Sequence, residues 1–145
     1  KKAKNFVERN LDVLEWRYYC ALKDGDEGMR KYLRHLDAIG FTTLTKPLKK
    51  IRLAPSEEGN EHESRFIYKA NFDVEMTADI LLDKASTEEV VLFSGDSDFE
   101  YLVRKLRHQG IGTQIFSSRR TVSWELKLAV SRTQYLEDVK DEIKR

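Results

Sequence analysis

Residues 90–99 read VVLFSGDSDF. Four apolar residues run into a small turn that carries Gly95, Asp96, Ser97 and Asp98. A short apolar run closed by turn residues has the character of a buried strand. From Ser97 to Gln109 the pattern changes period, with Phe99, Leu102, Val103 and Leu106 on one helical stripe and Gly110 placed to stop it. IGTQIF then reads as another strand, so this segment is one strand–turn–helix–strand unit.

The same alternation extends in both directions. KKAKNFVERN has helical character, and LDVLEWRYYCAL, rich in Val, Trp and Tyr, reads as a strand. A helix from Asp26 to Ile39 places Met29, Leu33, Leu36 and Ile39 on one face, with Gly40 behind it. FTTLTKPLKKIRL is a strand broken at Pro47 with a second short strand after it, and residues 54–65 are a polar loop. FDVEMTADILLDKA is the next helix, its apolar face assigned to Val74, Ala78, Leu81 and Ala85. After IGTQIF come a helix at TVSWELKLAV, a short strand at QYL and a charged helical end, EDVKDEIKR. Strands alternating with helices of this length predict a single α/β domain over residues 1–145, with a mainly parallel sheet and helices on both faces.

Composition narrows the function. With 26 basic and 25 acidic side chains the chain is no polycation, although a local basic patch is compatible with that balance. Cys20 is the single cysteine, which excludes an internal disulfide and a cysteine-based metal cluster. No apolar run approaches membrane-spanning length and no signal peptide is evident, so the expectation is a cytoplasmic protein with no membrane partner. Trp16 and Trp124 are assigned to the core.

In mainly parallel sheets, sites form beyond the carboxyl ends of the strands, where Asp96 and Asp98 fall. Like charges held this close repel, and a divalent cation removes the conflict. Mg²⁺ takes hard oxygen ligands, is held by one or two carboxylates plus water, and completes its shell with substrate phosphate. Gly95 allows a tight turn beneath such a site, and the helix that starts near Ser97 offers amide donors to phosphate. The alternative is that Asp96 and Ser97 only cap that helix. Asp73 opens the preceding helix, again at a terminus, and Asp79 lies roughly 120° from it around the axis. Glu75 and Asp83 read as a solvated face.

KANFDVEMTADILL followed by VVLFSGDSDFEYLVRKLRHQGIGTQIF resembles the NYN domain, in the LabA-like branch of the PIN-like nuclease superfamily. RYYCALKD, LRHLDAIG and FTTLTKPLKK extend the likeness over nearly the whole chain. The resemblance implies a three-layer Rossmann-like fold and a ribonuclease dependent on Mg²⁺ or Mn²⁺. It makes Asp73 and Asp96 the central metal ligands, with Asp98 and Asp79 in support. Ser94, Gly95, Ser97, Lys69 and Ser118 are the candidate substrate contacts, and RNA is the implied partner. Lys46, Lys49, Lys50, Arg119 and Arg120 are placed on loops where they either track a nucleic-acid backbone or are simply solvated.

Two departures accompany the likeness. The family's first strand, ending in an F-I-D-x-x-N motif whose aspartate completes the metal site, has no counterpart here and is expected to be missing from the chain as given. Ser131 stands where relatives often carry an aspartate, which would weaken that corner of the site. HAD phosphatases and Toprim enzymes also use D-x-D, but the first want it near the domain start and the second want an upstream strand-end glutamate. A non-catalytic RNA- or protein-binding regulatory module is the remaining alternative. A homodimer is compatible with a domain of this size. His35, His62 and His108 sit in no catalytic motif and are assigned to solvent.

Overall fold

The structure is a computed structural model that describes residues 1–52, 66–83 and 86–144. The polar loop at 54–65, His62 and Ala85 lie outside the described residues. The elements run α1 (Lys2–Glu8), β1 (Trp16–Leu22), α2 (Glu27–Ala38), β2 (Phe41–Pro47), β3 (Lys49–Arg52), β4 (Phe66–Lys69) and α3 (Asp73–Asp83). They continue with β5 (Glu89–Leu92), a 3₁₀ turn (Ser97–Phe99), α4 (Glu100–His108), β6 (Gly112–Ser117), α5 (Trp124–Ala129), β7 (Arg132–Tyr135) and α6 (Lys140–Ile143). The fold is α/β with mostly parallel, open sheets, as the alternation predicts.

Two compact units account for the chain, Lys1–Asp12 with Asp73–Arg145, and Val13–Phe72. In the first, β5, β6 and β7 form a parallel sheet in that order, Val91 opposite Gln114 and Ile115 opposite Thr133. Parallel neighbours need a crossover, and α4 and α5 supply it. The expected stripe of α4 is buried as predicted: Phe99, Leu102, Val103 and Leu106 pack with Leu92, Ile111, Ile115, Leu126 and Ala129. Gly110 has φ of +76°, the left-handed position that ends the helix. α1 buries Val7 and sets Phe6 edge-on to Phe116 at 6.2 Å between ring centres.

The second unit holds a parallel pair, β1 with β2, and a separate antiparallel ribbon, β3 with β4. Asp26 caps α2, its side chain accepting from the Met29 amide, and Leu33 and Leu36 are the buried residues of that helix. Gly40, at φ +88°, ends it. Pro47 closes β2, as the break in the sequence pattern anticipates, but the partner of β3 is the strand Phe66–Lys69, to which the sequence reading assigns no element.

Two assignments of apolar residues are corrected. On α3, Val74 is 79% exposed and Ala78 is exposed, while Met76, Ile80 and Leu81 face the core. Apolar residues recur on two sides of this helix, so periodicity alone does not choose between the Val74–Ala78 row and the Met76–Ile80 row. Trp124 is 65% exposed rather than core, because it is the first residue of α5 and its ring lies outside the face carried by Leu126 and Ala129. Trp16 is half-buried and meets the Phe41 ring at 5.2 Å.

Leu106 is fully buried, at 0% exposure, against both strand and helix neighbours. Leu106→Ala is therefore expected to destabilise the protein by about 2–5 kcal/mol, read as a shift in urea midpoint.

Candidate metal site at the carboxyl ends of the strands

β5 ends at Leu92, and the chain leaves the sheet through Phe93, Ser94, Gly95 and Asp96 into the 3₁₀ turn. Phe93 anchors this exit by stacking on Phe116 with ring centres 4.7 Å apart. The turn is shaped by its own side chains. The Asp96 amide donates to Ser94 Oγ at 3.2 Å, and Asp96 Oδ1 accepts from the Asp98 amide at 3.0 Å. Asp96 is thus a helix cap, as the alternative reading holds. A carboxylate has about four lone-pair positions on two oxygens, so one cap bond leaves it able to hold something else.

Gly95 is required by a close approach, not by an unusual φ. A Cβ there would lie 2.6 Å from Ser117 Oγ and 2.6 Å from the Thr121 carbonyl oxygen. Its own carbonyl accepts from the Ser123 amide at 2.8 Å. The exit of β5 is therefore pressed directly onto the turn that follows β6. Ser94, Gly95, Asp96, Ser97, Thr121 and Ser123 together line an open cleft of about 460 Å³. Thr121 and Ser123 join it through this contact between distant segments, which no local motif announces.

Asp73, the half-buried first residue of α3, comes to the same place. One carboxylate oxygen each from Asp73, Asp96 and Asp98 lie within 4.8 Å of one another. Oxygens around a Mg²⁺ at about 2.1 Å are about 3–4 Å apart, so this group closes on such a cation with small side-chain rotations. Asp79 is not a member of the group; it stands six residues on, about 9 Å along the helix and a third of a turn away. Of the two supporting acids named from sequence, the structure brings in Asp98 and leaves out Asp79.

The other residues singled out from the sequence take other places. Ser118 does not line the cleft: its hydroxyl donates to Glu137 at 2.6 Å, and the Arg119 amide donates to both oxygens of the same carboxylate at 3.2 Å. The Arg119 guanidinium is paired with Asp138 at 2.7 Å and lies over the Tyr135 ring. Ser131 is not a corner of the site. Its hydroxyl accepts from the Thr113 amide at the start of β6, at the opposite end of the sheet from Ser117, about 13 Å away along the strand. Lys69 is exposed in β4, in the other compact unit, and His35 and His108 are exposed on their helices.

This chain matches the profile of the NYN domain family over residues 1–137. The chain belongs to the NYN domain family. NYN domains are a PIN-like nuclease family, and the LabA-like assignment agrees with a second comparison. The Low amplitude and bright protein LabA of Synechococcus elongatus is 30% identical over 135 residues, taking in 93% of this chain and 69% of that protein. A crystal structure of a Vibrio parahaemolyticus protein of unknown function has the same fold, with a TM-score of 0.70 over 95% of this chain and 79% of the other at 18% identity.

Two tests follow from this NYN geometry. Gly95→Ala is expected to displace the turn at Thr121 and weaken Mn²⁺ binding at least tenfold in calorimetry, since the Thr121 backbone carbonyl and the buried Ser117 hydroxyl both stand where the added methyl would lie. The second concerns Glu137, whose carboxyl is held below the usual carboxylate range, first by the Ser118 hydroxyl and then by amide donors and the Arg119 charge. A depressed folded value contributes stability above the unfolded one and loses it as pH falls through the folded one. The Arg119 amide resonance should therefore move only below the ordinary carboxylate range, and Glu137→Gln should abolish that transition.

Proposed function

We propose that this NYN domain is a metal-dependent endoribonuclease that hydrolyses RNA phosphodiester bonds. The observation that carries the reading is the convergence of Asp73, Asp96 and Asp98 from two separate helix starts into one group at the carboxyl ends of the strands. The donor set suits a hard cation, and Asp73, Asp96 and Asp98 would hold Mg²⁺ or Mn²⁺ there. When bound, such a cation lowers the pKa of water and offsets charge that builds on the phosphoryl oxygens.

The chain's own residues supply the rest. Ser94 fixes the Asp96 backbone, and the cap bond from the Asp98 amide fixes the Asp96 carboxylate, so Asp96 is oriented before any ligand arrives. Gly95 keeps the turn at Thr121 close, and Ser97, Thr121 and Ser123 line the cleft where phosphate oxygens would lie, the Ser123 hydroxyl also accepting from the Leu126 amide. Asp79 takes no ligand role in this reading, and Ser118 acts through the loop it holds rather than on the phosphate. The family match spans residues 1–137, which supports treating both compact units as parts of a single NYN domain.

Asp96→Asn keeps the cap acceptor but removes the charge. Against a mixed pool of single-stranded and structured RNA, the natural protein should cut with Mn²⁺ or Mg²⁺ and stop in EDTA, and the variant should lose at least a hundredfold in rate. Cleavage that survives Asp96→Asn would sink the proposal. RNA binding without any cutting would favour the regulatory module.

A further inference from the structure

Residues 41–52 and 66–72 hold five of the chain's basic side chains, Lys46, Lys49, Lys50, Arg52 and Lys69, and none of its acidic ones. The β3–β4 ribbon concentrates them. Its register sets Lys49 opposite Lys69 and Ile51 opposite Ile67. Residues two apart on a strand share a face, so these four line one side of the ribbon. Lys49 and Lys69 are exposed, and Ile51 and Ile67 are each 41% exposed. Lys50 lies on the other side with its ammonium 4.0 Å from the centre of the exposed Phe66 ring.

This arrangement is costly for a ribbon left in water. Like charges directly opposite one another across a strand pair destabilise it. Two-stranded ribbons have little stability to spare. Among the described residues, neither Lys49 nor Lys69 has an acidic partner in an ion pair. The joining residues 53–65, with four glutamates, lie outside the described residues. Exposed aliphatic and aromatic side chains beside unpaired cations are the composition of surfaces that track a nucleic-acid backbone.

We propose that the β3–β4 ribbon is an RNA-binding arm, in which Lys49 and Lys69 straddle the phosphate backbone of a bound single strand. A polyanion between the two ammonium groups turns a repulsive cross-strand pair into a bridged one. The choice of RNA among polyanions rests on the nuclease reading; the charge and register of the ribbon do not depend on it.

Binding of a fluorescein-labelled single-stranded RNA is measured by anisotropy in EDTA, on the whole chain, across a salt series. Each phosphate contact by a lysine contributes about 0.7 to the slope of log affinity against log salt. Lys49→Gln with Lys69→Gln should lower that slope by about 1.4 and weaken binding about tenfold at low salt. Lys49→Glu tests folding separately. It places opposite charges across the ribbon, so it should leave the melting temperature unchanged or higher while weakening RNA binding. An affinity and slope unmoved by both variants overturn the arm. Anionic vesicles bound as well as RNA, with the same dependence on the two lysines, overturn the choice of RNA.

Asp96→Asn, assayed in parallel, separates the two claims. Loss of cleavage with binding indifferent to Lys49 and Lys69 removes the arm alone. Lysine-dependent binding by a chain that never cuts removes the nuclease and keeps the arm.

Discussion

The contact on which the candidate site depends is the one between Gly95 and the turn after β6. A hydrogen bond from the Ser123 amide to the Gly95 carbonyl and the nearness of the Thr121 carbonyl join two strand exits into one surface. Parallel strands deliver their carboxyl ends to the same edge, but they do not by themselves make those ends touch. A residue without a side chain at position 95 does. With the exits joined, Asp96 and Asp98 are carried on a turn braced from both sides, by Ser94 within the turn and by Ser123 across it.

Helix α3 then completes the group from one end only. Its first residue, Asp73, is the one that reaches Asp96 and Asp98, and each further turn carries the helix away by about 5.4 Å. Acids placed deeper in α3 therefore diverge from the group however regular their spacing looks. The helix packs its Met76 and Ile80 row against the core, which fixes its rotation and, with it, the direction in which Asp73 is offered.

Much of this was legible from sequence, and the failures have definite causes. The strand at Val90, the stripe from Phe99 to Leu106 and the stops at Gly40 and Gly110 were readable because each is encoded by near neighbours at a fixed period. Asp73, Asp96 and Asp98 were readable because strand ends and helix starts mark positions where side chains converge. The α3 face was misread because apolar residues lie on two sides of the helix, and only the sheet it packs on selects one. Ser131 was misplaced because motif spacing does not say which end of a strand a residue occupies. Lys49 and Lys69 gained meaning only from a register that joins two strands across residues 53–65. Thr121, Ser123 and the Ser118–Glu137 bond are likewise long-range products of the fold.

The same sheet end also offers an internal comparison between two pairs of acids. Glu137 and Asp138 are satisfied by the chain itself: Ser118 and the Arg119 amide on one carboxylate, the Arg119 guanidinium on the other. Those bonds spend both charges on holding a loop. Asp96 and Asp98 are treated differently. Asp96 accepts one amide bond, and among the described residues no cationic side chain is paired with either acid. Arg120, so near in sequence to the cleft-lining Thr121, forms no ion pair among the described residues either. An arginine is thus paired within the Glu137–Asp138 couple, whereas among the described residues the Asp96–Asp98 couple has no such partner. Asp73, arriving from α3, brings a third carboxylate to the same place, the kind of oxygen cluster whose mutual repulsion a divalent cation would offset.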